Sequence, residues 1–190
     1  MPRKVTASLQ RHLNPDRKYQ SVMVQRLINK SMLNGKKLVA ERAVYTALEV
    51  AAKKLGSEDP LAVFERALKN VSPNFEVKSR RVGGANYQIP FPVSGHRQLH
   101  YAFSWLVQSA RSRKGIQYSQ RLALEIVDAY NEAGAAYKKK EDTHKMAEAN
   151  RAFVSLCPHL VSVNTLKDVL LLTGRPFCLM AKLLSGCSIL

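Results

Sequence analysis

The chain has 190 residues, 46% hydrophobic and 23% charged, the profile of an ordinary soluble globular chain with one core. Lys and Arg number 30 against 14 Asp and Glu, a formal charge of +16; self-repulsion of that size in a compact body calls for a polyanionic partner, nucleic acid first and an anionic membrane surface second. No apolar run reaches the roughly 20 residues of a membrane span and no basic helix carries a broad apolar face, so the membrane reading is weak.

The N-terminal "MPRKVTASLQRHLNPDRK" lacks the apolar stretch of a secretory signal, while its basic, acid-poor character leaves an organellar transit segment open. In chain order, apolar residues recur at Tyr19, Val22, Met23, Leu27, Ile28 and Leu33 with a helical period, and Asn34 and Gly35 supply the stop, so a first helix is predicted over 19–33. "KKLVAERAVYTALEVAAKKLG" predicts a second, with Leu38, Val39, Val44, Leu48, Ala51 and Leu55 on one buried face and Gly56 at its end. A third opens at Asp59 with Pro60 in its first turn, buries Leu61, Phe64 and Leu68, and stops before Pro73. There the period falls from about 3.6 to about 2. Phe75, Val77 and Ser79 alternate with Glu76, Lys78 and Arg80, "GGAN" makes the turn, and Tyr87, Ile89, Phe91 and Val93 alternate on the return, which predicts a β-ribbon over 75–93.

After Gly95 three helical patterns follow: Leu99, Phe103 and Leu106; then Leu122, Ile126, Ala129 and Ala133, with Ser119 as N-cap; then Met146, Ala149 and Phe153. The predicted fold is mainly α, a six-helix body with one protruding two-stranded antiparallel β-ribbon. From Val154 the composition shifts, with Lys167, Arg175 and Lys182 against Asp168 as the only charges. "NTLKDVLLLTG" and "PFCLMAKLLSG" predict two short helices, and 154–190 reads as an apolar appendage to a basic body at 1–153. All three cysteines, Cys157, Cys178 and Cys187, fall in this appendage. An odd count with none in the body argues against a disulfide framework and for a reducing compartment.

A lone two-stranded ribbon is marginally stable in water, so one that projects needs helices or a bound partner behind it. N–H groups two residues apart point to the same side of a strand, so Pro90 and Pro92 strip donors from one edge and block it against further strand addition. Lys78, Arg80 and Arg81 crowd beside Gly83 and Gly84, whose backbone N–H groups no Cβ shields; such a tip suits close approach to phosphates. Arg111, Arg113 and Lys114 sit at a helix end, where cations also suit the dipole. Lys138, Lys139 and Lys140 precede Glu141 and Asp142, which read as capping charges for the following helix, and a solvated charged face is the ordinary account of such a run. With Arg3, Lys4, Arg11, Arg17 and Lys18 on a basic arm at 1–18, the clusters fall at termini and element junctions. That distribution suits wrapping by a folded RNA better than a single groove-reading helix.

Gly35 and Lys36 imitate the end of a phosphate loop, but Lys30 stands where its first glycine belongs and no strand precedes it. There is no G-x-S-x-G, and His144 beside Asp142 reads as an exposed helix residue rather than a general base. Cys157 and His159 lack a second close pair for zinc. No enzyme activity, cofactor or metal is expected. The two helices joined at "MLNGKK" imitate a helix-turn-helix, so a DNA regulator is the competing class; their apolar character favours a packed hairpin, and no dimerisation heptad follows. The aromatic strand motif of an RNA-recognition sheet is missing. A third class is a ribosome-associated switch whose apolar tail binds a protein partner.

"DRKYQSVMVQRLINKSMLNGKKLVAERAVYTAL", "VKSRRVGGANYQIPFPV" and "KKKEDTHKMAEANRAF" closely resemble the bacterial-type small-subunit ribosomal protein seven family, in family order and spacing from about Pro15 to Phe153. The resemblance implies a helical fold with a projecting ribbon and direct binding to the 3′ major domain of small-subunit rRNA, whose folding into the head it seeds. It also implies a place at the subunit interface near the exit-site tRNA and the mRNA path, beside neighbouring head and platform proteins. Neither a membrane nor a homo-oligomer is expected, and the location is a ribosome of the bacterial cytoplasm, a plastid or a mitochondrion. By the same resemblance the ribbon meets rRNA, and its tip, Val82, Gly83, Gly84, Ala85, Asn86 and Tyr87, lies near tRNA and mRNA. Lys36 and Lys37, the Arg111–Lys114 cluster, and Lys138 to Lys140 with Lys145 and Arg151 fall on rRNA or on neighbouring head proteins. The family pattern does not account for 154–190, whose low charge density sets it apart from the main rRNA contacts.

Overall fold

The computed structural model describes residues 13–156. Arg3, Lys4 and Arg11, the three cysteines and the two helices expected in the appendage lie outside them. The order is α1 (Val22–Ser31), α2 (Lys37–Leu55), α3 (Pro60–Val71), β1 (Phe75–Val82), β2 (Ala85–Pro92), α4 (Gly95–Ser112), α5 (Tyr118–Tyr130) and α6 (Gly134–Ala149), then a 3-10 turn at Arg151–Leu156. The six helices and the antiparallel pair are those the sequence predicts.

α5 packs against α2, α3, α4 and α6. Ala40, Ala47, Ala51 and Ala52 on α2 and Ala123 and Ala129 on α5 are all buried, and side chains this small let two helix backbones approach. Larger groups, Leu27, Ile28, Phe64, Leu106, Leu122 and Ile126, fill the space around them. Before α1, the buried carboxylate of Asp16 accepts the N–H groups of Lys18 and Tyr19, each at 3.3 Å, and the hydroxyl of Tyr45, which ties the N-terminal segment to α2. Tyr19 therefore precedes α1 instead of opening it.

Four helical faces differ from expectation. In α1 Val22 is exposed, Leu33 lies exposed beyond the helix, and Val24 joins Leu27 and Ile28 in the core. Leu38 and Val39 are 66% and 65% exposed: the stripe of α2 that meets the core runs through Ala40, Val44, Ala47, Leu48 and Ala51, and a turn of about 100° per residue places the two earlier side chains off it. α5 starts at Tyr118 with Gln117 in the capping position, so Ser119 lies inside the helix, and Ala133 follows it, exposed. α6 is one helix from Gly134, so Lys138, Lys139, Lys140, Glu141 and Asp142 are in its middle and cap nothing. Its inner face is Ala136, Lys140, His144 and Ala147, while Met146 and Ala149 point outward.

In the ribbon Val82 pairs with Ala85 across a two-residue turn, Gly83 and Gly84, with φ of 58° and 89°. Positive φ at both positions is the tight-hairpin geometry that glycine adopts without strain, and it brings Ala85 and Asn86 into the strand. The register Glu76↔Phe91, Lys78↔Ile89 and Arg80↔Tyr87 sets these six side chains on one face, because directly paired residues share a face. Phe75 and Val77 share the other with Pro92 and Pro90. Apolar residues thus fall on both faces, and Ile89, Pro90 and Glu76 are all buried near the root. The Val93 N–H donates to the Asn74 carbonyl at 3.0 Å, so by alternation the nitrogens of Pro90 and Pro92 face away from β1, as the spacing of the prolines predicts.

Candidate nucleic-acid interface

The end of α1, the start of α2, the end of α4 and the start of α5 converge on Ser31. Tyr118 Oη donates to its Oγ at 3.0 Å and Arg111 Nη2 to its carbonyl at 3.2 Å. Around that junction Lys30, Lys36, Lys37, Arg42, Arg111 and Lys114 are exposed, which joins two clusters, at 36–37 and 111–114, that are far apart in sequence. α2, about 28 Å long at 1.5 Å per residue, separates this pole from the far end, where Glu58, Asp59 and Arg66 surround Tyr130.

From the pole the surface continues along α1. Arg26, Asn29 and Lys30 face His96 and His100 of α4 across a groove floored by Leu13, Leu99 and Phe103. Arg17 and Lys37 line the adjoining hollow with Asn29. Arg97, one residue beyond His96, reaches the ribbon root at Glu76. Sequence reasoning missed Arg26, Lys30, Arg42, His96 and His100 as binding candidates. The available signal was the i,i+4 spacing of Arg26 with Lys30 and of His96 with His100 on helix faces outside the apolar stripe.

On the ribbon Lys78, Arg80 and Arg81 are exposed, and Lys78 and Arg80 stand on the aromatic-bearing face while Arg81 stands on the other. Lys78 Nζ lies 2.7 Å from Glu76 Oε1 and 5.0 Å from the centre of the Phe91 ring. Gly83, Gly84, Ala85 and Asn86 are exposed at the tip; Tyr87 is half-buried, its ring 5.2 Å from that of Phe153 in the 3-10 turn.

Several cations singled out from the sequence also bond within the protein. Arg113 Nη2 lies 2.6 Å from Glu125 Oε2 and also bonds Asp128, and Glu125 is fully buried, its other oxygen accepting the Ala136 N–H at 2.9 Å. This cluster ties α4, α5 and α6 together; burial lowers the Arg113 pKa, but the hydrogen bonds to Asp128 and Glu125 outweigh it and leave the pKa raised. Lys140 Nζ donates to the Asn70 carbonyl at 2.7 Å at the end of α3, and burial lowers its pKa. Lys139 donates to Gln108 Oε1 at 3.0 Å, and Lys18 pairs with Glu49, an exposed pair that raises the lysine pKa and lowers that of the glutamate. Lys138 and Lys145 are exposed and Arg151 is half-buried. His144 is half-buried and bonded to backbone, not the exposed helix residue its sequence context predicts. Among the described residues no group of three His, Cys, Asp or Glu is placed to hold a metal ion, and no helix is long and apolar enough to cross a membrane.

A family model described as Ribosomal protein S7p/S5e matches residues 2–151. A curated relative from Thermomicrobium roseum, a small ribosomal subunit protein uS7, is 54% identical over 153 residues, which cover 80% of this chain and 97% of its own. Relatives of the same name from Chloroflexus aggregans and Dictyoglomus thermophilum are each 52% identical over 153 residues, covering 80% of this chain and 96% and 97% of theirs. Fold, charge and likeness together define the class, a ribosomal protein whose work is structural and not enzymatic. Within that class the chain belongs to the ribosomal protein S7p/S5e family, the one its three sequence motifs resemble.

Proposed function

We propose that the protein is a structural constituent of the small ribosomal subunit that binds the 3′ major domain of small-subunit rRNA and nucleates folding of the head. In this reading 1–153 is the rRNA-binding domain, and its ribbon tip, Val82 to Tyr87, faces the exit-site tRNA and the mRNA path. Head and platform proteins are its protein neighbours, and the location is a ribosome of the bacterial cytoplasm or of an organelle.

The observation that carries the reading is the convergence of Lys30, Lys36, Lys37, Arg111 and Lys114 on one pole, continuous through Arg26, His96 and His100 with the ribbon root. Phosphate contacts position a protein on nucleic acid, and several surfaces at different heights suit a folded RNA better than one groove. The DNA-regulator reading loses support because α2, its recognition helix, commits Ala40, Val44, Ala47, Leu48 and Ala51 to the core.

The test is a salt titration of binding to a transcribed 3′ major domain fragment beside duplex DNA of equal length. Affinity for the fragment should fall with salt at a log–log slope of about 0.7 to 0.9 per phosphate neutralised and exceed that for the duplex throughout. A flat salt response, or selective duplex binding lost on changing Lys36 and Lys37 to Glu, would sink it.

A further inference from the structure

β1 leaves the body between two polar attachments, one on each side of its first residues. On the α6 side the Asn74 N–H, immediately before β1, donates to His144 Nε2 at 3.1 Å, and the His144 ring meets Phe75 edge-on at 6.2 Å. On the α4 side Glu76, 6% exposed, accepts from Arg97 Nε at 2.7 Å and Tyr101 Oη at 2.6 Å through one oxygen and pairs with Lys78 through the other. Helix, ribbon and helix are thus joined at two adjacent points, Asn74 and Glu76. Beyond them Tyr87 of β2 meets Phe153 of the 3-10 turn, and the ribbon runs out to exposed Gly83, Gly84, Ala85 and Asn86 at its tip.

We propose that His144 and Glu76 are positioning residues for nucleic-acid binding, which fix the direction of the ribbon by holding its root to α6 and to α4. The proposal rests on the RNA-binding reading above and adds to it which side chains make the ribbon a rigid arm. A root held at one point can swing about that point, whereas two attachments on opposite sides fix an orientation. A pre-oriented arm gives up less freedom when it meets phosphate, and this raises affinity without any additional interaction.

The His144 attachment exists in one protonation state. Nε2 accepts from the Asn74 N–H only in the neutral ring; with a proton there both groups are donors and the bond is broken. Burial, and after it Lys140, lower the His144 pKa, with Glu148 acting the other way, so the ring is neutral at neutral pH. The charged groups that act on the ring, Lys140 and Glu148, belong to its own helix, and the β1 root that meets it offers uncharged Asn74 and Phe75. As pH falls below about 6.5, the unfolded chain takes up a proton at this ring first. The attachment therefore contributes fully above that value and is lost as pH falls through the lower folded-state pKa. Glu76 behaves differently: burial pushes its pKa up, but the hydrogen bonds from Lys78, Tyr101 and Arg97 outweigh this and hold it below the ordinary value, so it is ionised where the unfolded chain's histidine begins to take up its proton.

His144→Gln separates the chemistry from the packing, since the amide oxygen can accept the same N–H and does not titrate. Hydrogen exchange at the Asn74 amide, expressed as a protection factor on the full chain from about pH 7.5 down through the titration of His144, should fall about tenfold in the wild type and hold steady in His144→Gln. In parallel, the affinity for the 3′ major domain fragment, as the ratio of His144→Gln to wild type, should be near one at the upper pH and about fivefold at the lower. Protection that follows pH identically in both proteins would overturn the attachment itself. Protection that separates while the affinity ratio stays at one would overturn the positioning role and leave the RNA-binding reading standing. A wild type that binds no fragment at any pH would overturn that reading, and the positioning role with it.

Discussion

Gly134 opens α6 at φ +90°, and a Cβ built there would lie 2.9 Å from Asp128 Cβ and 3.3 Å from Glu125 Oε1. Both neighbours belong to the cluster that Arg113 holds, so neither can retreat freely: Glu125 bonds Arg113 and the Ala136 N–H, and Asp128 bonds Arg113. Gly134→Ala therefore incurs two costs. Forcing a side chain into the left-handed region costs about 1–2 kcal/mol, and relieving the clash with a Cβ, by shifting a cluster with a buried carboxylate, costs of order 1–2 kcal/mol more. Gly115→Ala is the matched control: its φ is +86° with nothing within 4 Å, so the first cost applies alone. Urea denaturation of both variants should give losses of about 3 and about 1 kcal/mol, and thermal midpoints lower by roughly 6–12 °C and 2–4 °C for a chain of this size. Equal losses would refute the idea that the Arg113 cluster sets the α5–α6 junction.

Three further outcomes follow from the same geometry. Arg113→Ala strands a fully buried Glu125 and should cost about 3 kcal/mol in urea denaturation, with the slope of rRNA affinity against salt unchanged; a stable variant with a reduced slope would return Arg113 to the binding surface. Burial, and then the hydrogen bond to Asp16, push the Tyr45 pKa up to about 12. The attachment therefore stabilises the fold fully below the ordinary tyrosine value near 10 and is lost as pH rises through about 12. An ultraviolet titration should show one late-ionising tyrosine that disappears in Tyr45→Phe. Arg81→Ala, exposed on the ribbon, should change stability by no more than about 0.5 kcal/mol while weakening rRNA binding, and a large drop in the melting temperature of the free protein would contradict that.

The parts of the fold legible in the sequence are those where one physical term dominates. α1, α3 and α4 bury aliphatic and aromatic side chains at helical spacing, and the glycine pair between alternating segments marks the ribbon turn. α6 is legible as a helix but not in its orientation, because the face it buries is Ala136, Lys140, His144 and Ala147. Two of those four are polar and become inner residues through backbone partners, Asn70 and Asn74, that lie 70 positions away in sequence. Glu76 reads as the solvent-facing member of an alternating strand, and it is buried because Arg97 and Tyr101, more than 20 residues later, close over it. The candidate interface divides the same way. Charge and junction placement identify Lys36, Lys37, Arg111 and Lys114, whereas composition cannot separate them from Arg113 and Lys140, whose charges the fold uses internally. Arg26, Lys30, His96 and His100 escape a reading of the sequence because the groove they share forms only when α1 lies against α4.

The central claim is that the pole around Ser31 is the principal phosphate-binding surface, and a salt titration of matched variants tests it most directly. Lys36→Ala, Lys37→Ala and Lys114→Ala combined should lower the magnitude of the log–log salt slope for the 3′ major domain fragment by roughly 2 to 3, near 0.7 to 0.9 for each phosphate no longer neutralised. Lys53→Ala, Lys54→Ala and Arg66→Ala combined remove the same charge from the far end, at the close of α2 and beside Tyr130, and should leave the slope unchanged. Equal reductions in the two triple variants would contradict the claim, because binding would then follow total charge and not its placement.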